Sequence, residues 1–75
     1  MACVNPDGTV EPVARAVLLA LRTLGSPEDV AREVRLPLYR VRSSLRELHL
    51  AGLVEERGGT YALTDAGRTR LAAQG

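Results

Sequence analysis

Apolar positions recur along most of this chain at helical spacing, and near its C-terminal third at the spacing of strands. From Val13 to Leu24, Val13, Ala16, Val17, Ala20, Leu21 and Leu24 follow a helical period, and Pro12 suits the first turn, where its missing N–H costs nothing. Leu18 and Leu19 widen that stripe until Arg15, Arg22 and Thr23 are left facing water. A helix apolar on so many sides is buried on more than one of them, either as a central core helix or against a second copy of the chain. Gly25 closes it. Ser26-Pro27-Glu28-Asp29 then sets a capping serine, a first-turn proline and two acids at the positive end of the next helix dipole. Val30, Ala31 and Val34 form its inward face, and Arg35-Leu36 connects it to a third helix over 37–51. At about 100° per residue, Leu38, Val41, Leu45 and Leu48 fall in one narrow arc of that helix, and Gly52 ends it.

Beyond Gly52 the period shortens. Leu53-Val54-Glu55-Glu56-Arg57 and Thr60-Tyr61-Ala62-Leu63 alternate with a period near two, and Gly58-Gly59 between them suits the positive φ angles of a two-residue hairpin turn. Thr64-Asp65 caps a last helix with Leu71 and Ala72 facing inward. Gly67 in its first turn costs about 1 kcal/mol against alanine, which signals either close packing or a weak start. Residues 1–11 stand apart: Val4 to Val10, with Pro6 and Gly8, reads as a short hairpin or a loosely held tail, leaving 12–75 as one domain.

Composition narrows the function classes. Seventy-five residues allow one core, and a chain this size buries only about 60% of its unfolded surface. Cys3 is the single cysteine and His49 the single histidine, so neither an intrachain disulfide nor a thiolate zinc site is available, and no cofactor or metal is expected. Nucleophilic and acid–base catalysis need partnered groups that this residue set does not suggest, so no enzymatic activity is expected. No apolar run approaches the roughly 18 residues of a membrane span, and Met1 to Val10 lacks the pattern of a signal peptide, so a cytoplasmic location is expected.

Net charge is only +1, but its distribution is uneven. All the basic residues are arginine. Four of them and no acid lie from Arg35 to Arg46, whereas three acids and no arginine lie from Glu47 to Glu56. On the third helix Tyr39, Arg40, Ser43 and Arg46 lie on or beside the face opposite the leucines, with Glu47, and Arg42 lies at the boundary. Two helices joined by a few residues, the second amphipathic and arginine-bearing, form the helix-turn-helix pattern.

Two segments carry a closer likeness. Leu48-His49-Leu50-Ala51-Gly52-Leu53-Val54 resembles the "LxxAGLV" at the end of the recognition helix in prokaryotic winged helix-turn-helix regulators of the MarR, PadR and ArsR type. Tyr61-Ala62-Leu63-Thr64-Asp65-Ala66-Gly67-Arg68 resembles their "YxLTxxGR". The resemblance spans about residues 12–72. It implies a mainly α fold with a small β-hairpin: a three-helix core, a two-stranded wing and a short C-terminal helix. The long dimerising helices of the full-length regulators and the metal-binding set of the metal sensors have no counterpart here.

The resemblance further implies sequence-specific binding of double-stranded DNA by a transcriptional regulator, with helix 37–51 in the major groove and the 53–64 wing on the flanking backbone. Arg40 and Arg46 suit guanine edges or phosphates, Tyr39 and Ser43 phosphate or base contacts, Arg42 phosphate, and Arg57 at the wing tip the adjacent backbone. A homodimer through the first and/or last helix is expected, and no membrane partner. Plainer roles stand beside these. Tyr39 could pack over the helix-turn-helix corner, His49 is structural or solvent-facing, Cys3 is a bystander, and Leu50 is an exposed leucine or part of a contact patch. The rival function is a winged helix that binds protein rather than DNA, which the acidic pair Glu55-Glu56 favours. A third is the DNA-binding piece of a larger regulator.

Overall fold

A computed structural model of the chain describes residues 12–73, arranged as α1 (Pro12–Ala20), α2 (Pro27–Val34), α3 (Leu38–Leu50), β1 (Val54–Arg57), β2 (Thr60–Leu63) and α4 (Asp65–Ala73). The expected hairpin or tail over residues 1–11 lies outside the described residues. Four helices and one antiparallel hairpin thus make a small, mainly α unit. None of the described helices is long and apolar enough to cross a membrane.

The core is aliphatic. Val17 and Leu18 of α1, Val30 of α2, and Val41, Leu45 and Leu48 of α3 are fully buried against one another, with Leu53 and Val54 closing one end and Leu71 of α4 packed on the same cluster. Both faces of α1's apolar stripe are covered from within the chain, because α2 and α3 pack on it and α4 returns across it. Leu18, which widened that stripe in sequence, is wholly buried; Leu19 is left exposed, and Arg15 is half-buried rather than turned to water.

Helix α1 ends at Ala20, four residues before the expected Leu24. Arg22 N–H donates to Leu19 O and Thr23 N–H to Ala20 O, so the backbone tightens into i−3 bonds. Leu24 N–H still donates to Ala20 O at 2.9 Å, and just beyond it Gly25 O accepts from Tyr61 N–H at 2.8 Å, which ties the chain to β2. Leu21 and Leu24 still reach the core from this turn.

Helix α2 begins as its sequence indicates. Ser26 Oγ accepts from Asp29 N–H at 3.1 Å, and Pro27 occupies the first turn. It ends at Arg35, the one non-glycine residue with positive φ (59°) among those described. Leu36 N–H donates to Ala31 O at 3.1 Å, the six-to-one bond of a Schellman end. Helix α3 closes the same way at Gly52 (φ 79°), with Leu53 N–H donating to Leu48 O.

The hairpin pairs Val54 with Leu63, Glu55 with Ala62, Glu56 with Tyr61 and Arg57 with Thr60. Gly58 and Gly59 both have positive φ (58° and 88°), as a two-residue type I′ turn requires. Thr64 joins hairpin to α4: its hydroxyl accepts from Gly67 N–H at 3.0 Å and donates to Gly52 O at 2.7 Å. Gly67 is buried, and a Cβ there would collide with the carbonyl oxygen of Leu53, so close packing explains this glycine. Ala72, expected to face inward, is exposed; Leu71 alone turns the end of α4 into the core.

Candidate nucleic-acid interface

The tight left-handed turn at Arg35 and the extended Pro37 (φ −58°, ψ 146°) set α3 across α2 after only three intervening residues. Val41, Leu45 and Leu48 lock its inner face, and Ser44 is buried among them. Ser44 was not expected inside. It lies one helical step from the leucine arc, and a small hydroxyl side chain fits there.

With that face fixed, the opposite one is exposed among the described residues. Tyr39, Ser43, Arg46 and Leu50 follow one another at i, i+4, i+7 and i+11 on the outward stripe, and all four are exposed. Tyr39 is 72% and Leu50 77% accessible, so Tyr39 does not pack over the corner. Arg40 flanks the stripe on one side beside the half-buried Glu47, and Arg42 and His49 flank it on the other. The structure thus brings Tyr39, Arg40, Arg42, Ser43 and Arg46 to one exposed helix surface.

The charges on that surface are not equivalent. Arg42 Nη2 donates to Glu28 Oε2 of α2 at 3.3 Å, so part of its charge is already answered. Among the described residues, Arg40 and Arg46 have no ion pair. Arg57 sits at the end of β1, exposed, with its guanidinium 3.5 Å from Glu55. Beside it Glu56 accepts from Gly59 N–H at 2.8 Å, holding the hairpin turn. The hairpin tip therefore carries two carboxylates for its one arginine. The α3 surface is the more cationic of the two.

Glu28 and Leu50 complete the surface, and they differ in how they could have been found. Leu50 and His49 follow from the helical period. The Glu28–Arg42 pair joins side chains fourteen positions apart on different helices and has no signature in local spacing.

A small mainly α module with one cationic, solvent-facing helix surface and an antiparallel hairpin is thus defined. Its sequence matches no family model and no curated protein. It is similar to a solved structure described as "PigF with SAH", at 25% sequence identity and a TM-score of 0.59, covering 79% of this chain and 20% of that one. This chain therefore corresponds to about a fifth of the length of that protein.

Proposed function

We propose that the chain is a winged helix-turn-helix module that binds double-stranded DNA, inserting α3 into the major groove and laying the β1–β2 wing along the flanking backbone, as part of transcriptional regulation in the cytoplasm. The observation that supports this most is the outward face of α3. A helix locked by one apolar seam presents Tyr39, Ser43 and Arg46 in line, with Arg40 and Arg42 at its flanks, all of them exposed among the described residues. Guanidinium groups at such positions pair with guanine O6 and N7 or with phosphate oxygens, and the hydroxyls of Tyr39 and Ser43 donate to phosphate. Arg46 at the centre of the stripe is the best placed for a base edge. Arg40, Arg42 and Arg57 suit phosphates, the last two by exchanging their carboxylate partners.

Selection of binding sequences from random duplexes tests this, followed by anisotropy titration of the enriched duplex. Enrichment of a common sequence, with Arg46→Ala relaxing the choice at one base position, is the expected result. Failure to enrich any sequence, or titrations insensitive to both Arg40→Ala and Arg46→Ala, removes the DNA assignment.

A second function has one observation of its own. The similarity to about a fifth of the PigF chain associates this architecture with a module inside a larger protein, where a winged helix can serve as a contact surface between protein parts. Exposed Leu50 and the acidic hairpin fit that use. Capture of a defined protein partner whose binding is lost on Leu50→Ser, without any duplex binding, would favour it.

A further inference from the structure

A groove of about 630 Å³ runs between α1, β2 and α4, and no residue of α3 lines it. Its floor is aliphatic: Leu21 and Leu71 come up from the core, the half-buried Leu63 continues it along β2, and Leu19 stands at its side, 36% exposed. Its rim is cationic. Arg15, Arg22 and Arg68 surround those leucines, and among the described residues no aspartate or glutamate lines the groove. Arg68 is held over one wall by donating to Leu63 O at 3.2 Å, and it shares its charge with Asp65 at 3.6 Å. Arg15 and Arg22 have no ion pair among the described residues.

We propose that this groove is a docking site for an acidic amphipathic helix of a partner protein. Apolar side chains at i, i+3, i+4 and i+7 would lie on the leucine floor, and flanking Glu or Asp would meet the three guanidiniums. The charge pattern selects this occupant over two others. A second copy docked by the same face would bring two sets of arginines around one apolar seam with no acid among the described residues of either lining, and like charges so placed oppose a symmetric contact. A nucleic-acid backbone would satisfy the rim but would place hydrated phosphates over leucines with nothing to bury there. An acidic amphipathic helix satisfies both floor and rim. This site goes beyond the DNA-binding proposal and does not depend on it.

The experiment uses the full chain, labelled with nitrogen-15, titrated with a synthetic helix of roughly 18 residues bearing leucines at the stated spacing and flanking glutamates. Saturable shifts should centre on Leu19, Ala62, Leu63, Leu71 and Ala72 and spare α3. Arg22→Glu, at an exposed position, should weaken binding at least tenfold. That variant should in turn prefer a lysine-flanked version of the peptide, a reversal that loss of folding cannot mimic. The proposal is overturned if no saturable shift occurs, if shifts centre on α3, or if wild type binds the lysine-flanked peptide equally well. It is also overturned if the groove residues shift with protein concentration alone or respond to duplex DNA instead.

Discussion

Gly67→Ala is the sharpest test of the packing that joins hairpin to last helix. In an exposed helix the change would stabilise by about 1 kcal/mol, since alanine is the better helix former and restricts the unfolded chain. Here the added Cβ meets the Leu53 carbonyl oxygen head-on and approaches Leu63 Cδ2 at 3.4 Å. The carbonyl has little room to yield. It accepts from Thr64 N–H at 3.1 Å, while Leu53 is buried and its own N–H is bound to Leu48 O at 3.0 Å. Retreat would break the junction bond or pull Leu53 out of the core. Overpacking of this kind costs about 1–3 kcal/mol and occasionally more, and a collision with a carbonyl so held belongs at the upper end, so a net loss of about 1–2 kcal/mol is expected after the propensity gain. A domain of this length commands about 4–11 kcal/mol in all, and each kcal/mol lost lowers its melting temperature by about 4–8 °C. Urea unfolding followed by circular dichroism at 222 nm measures the difference, with Ala66→Gly at the neighbouring exposed position as the control for propensity alone. The control should lose about 1 kcal/mol. A Gly67→Ala protein as stable as wild type, or more so, would refute the close approach.

Arg40→Ala and Arg46→Ala should each weaken binding to a selected duplex. A lost base contact of about 1–3 kcal/mol appears as a roughly 5- to 150-fold rise in Kd by anisotropy, and a lost phosphate contact as a salt slope shallower by about one. Leu45→Ala, which empties a fully buried position between α1 and α3, should destabilise by about 2–5 kcal/mol in the same urea assay. Arg35→Gly should leave stability unchanged or raise it by up to about 1 kcal/mol. Relief of the left-handed strain, about 1–2 kcal/mol, exceeds or matches the entropy that glycine adds to the unfolded chain. A clear loss in that variant would mean that the arginine side chain itself contributes at the turn.

Where one element supplied its own signals, its form was legible beforehand. Ser26-Pro27 and its acids marked the start of α2, the leucine arc set the orientation of α3, and Gly58-Gly59 fixed both the hairpin turn and its register. The features that escaped are those decided by a distant part of the chain. Helix α1 gives way to a turn at Ala20, and the bond that holds the chain beyond that turn, from Tyr61 N–H to Gly25 O, has no signal within 13–24. Arg35 takes a left-handed conformation with no glycine to announce it, because α3 must cross α2 at that point. Ala72 faces solvent because one side chain, Leu71, suffices to close that end of α4. The candidate surface divides along the same line. Exposure of Tyr39, Arg40, Ser43 and Arg46 follows from periodicity, whereas the carboxylate beside Arg42 comes from a neighbouring helix and only the fold reveals it.

That carboxylate changes how the cations on α3 should be weighed. Glu28 and Arg42 are each more than half exposed, and an exposed ion pair contributes only about 0–1 kcal/mol. A phosphate arriving at Arg42 can therefore displace Glu28 at little cost, but the displaced carboxylate stays nearby and opposes the phosphate. Arg57 faces the same competition from Glu55. Arg40 and Arg46 form no ion pair among the described residues, although Glu47 lies beside them, so in the proposed complex they are the arginines of α3 with no carboxylate to displace. Arg15 and Arg22 on the α1–α4 groove likewise form no ion pair among the described residues, yet they border leucines where Arg40 and Arg46 border Tyr39, Ser43 and Glu47. A hydrated polyanion can rest on the hydroxyls of Tyr39 and Ser43, and to an apolar helix that stripe offers Leu50 alone. On the groove both relations invert. One chain of nearly zero net charge thus carries two cationic surfaces suited to different chemistry, separated by what lies beneath the guanidiniums rather than by their number.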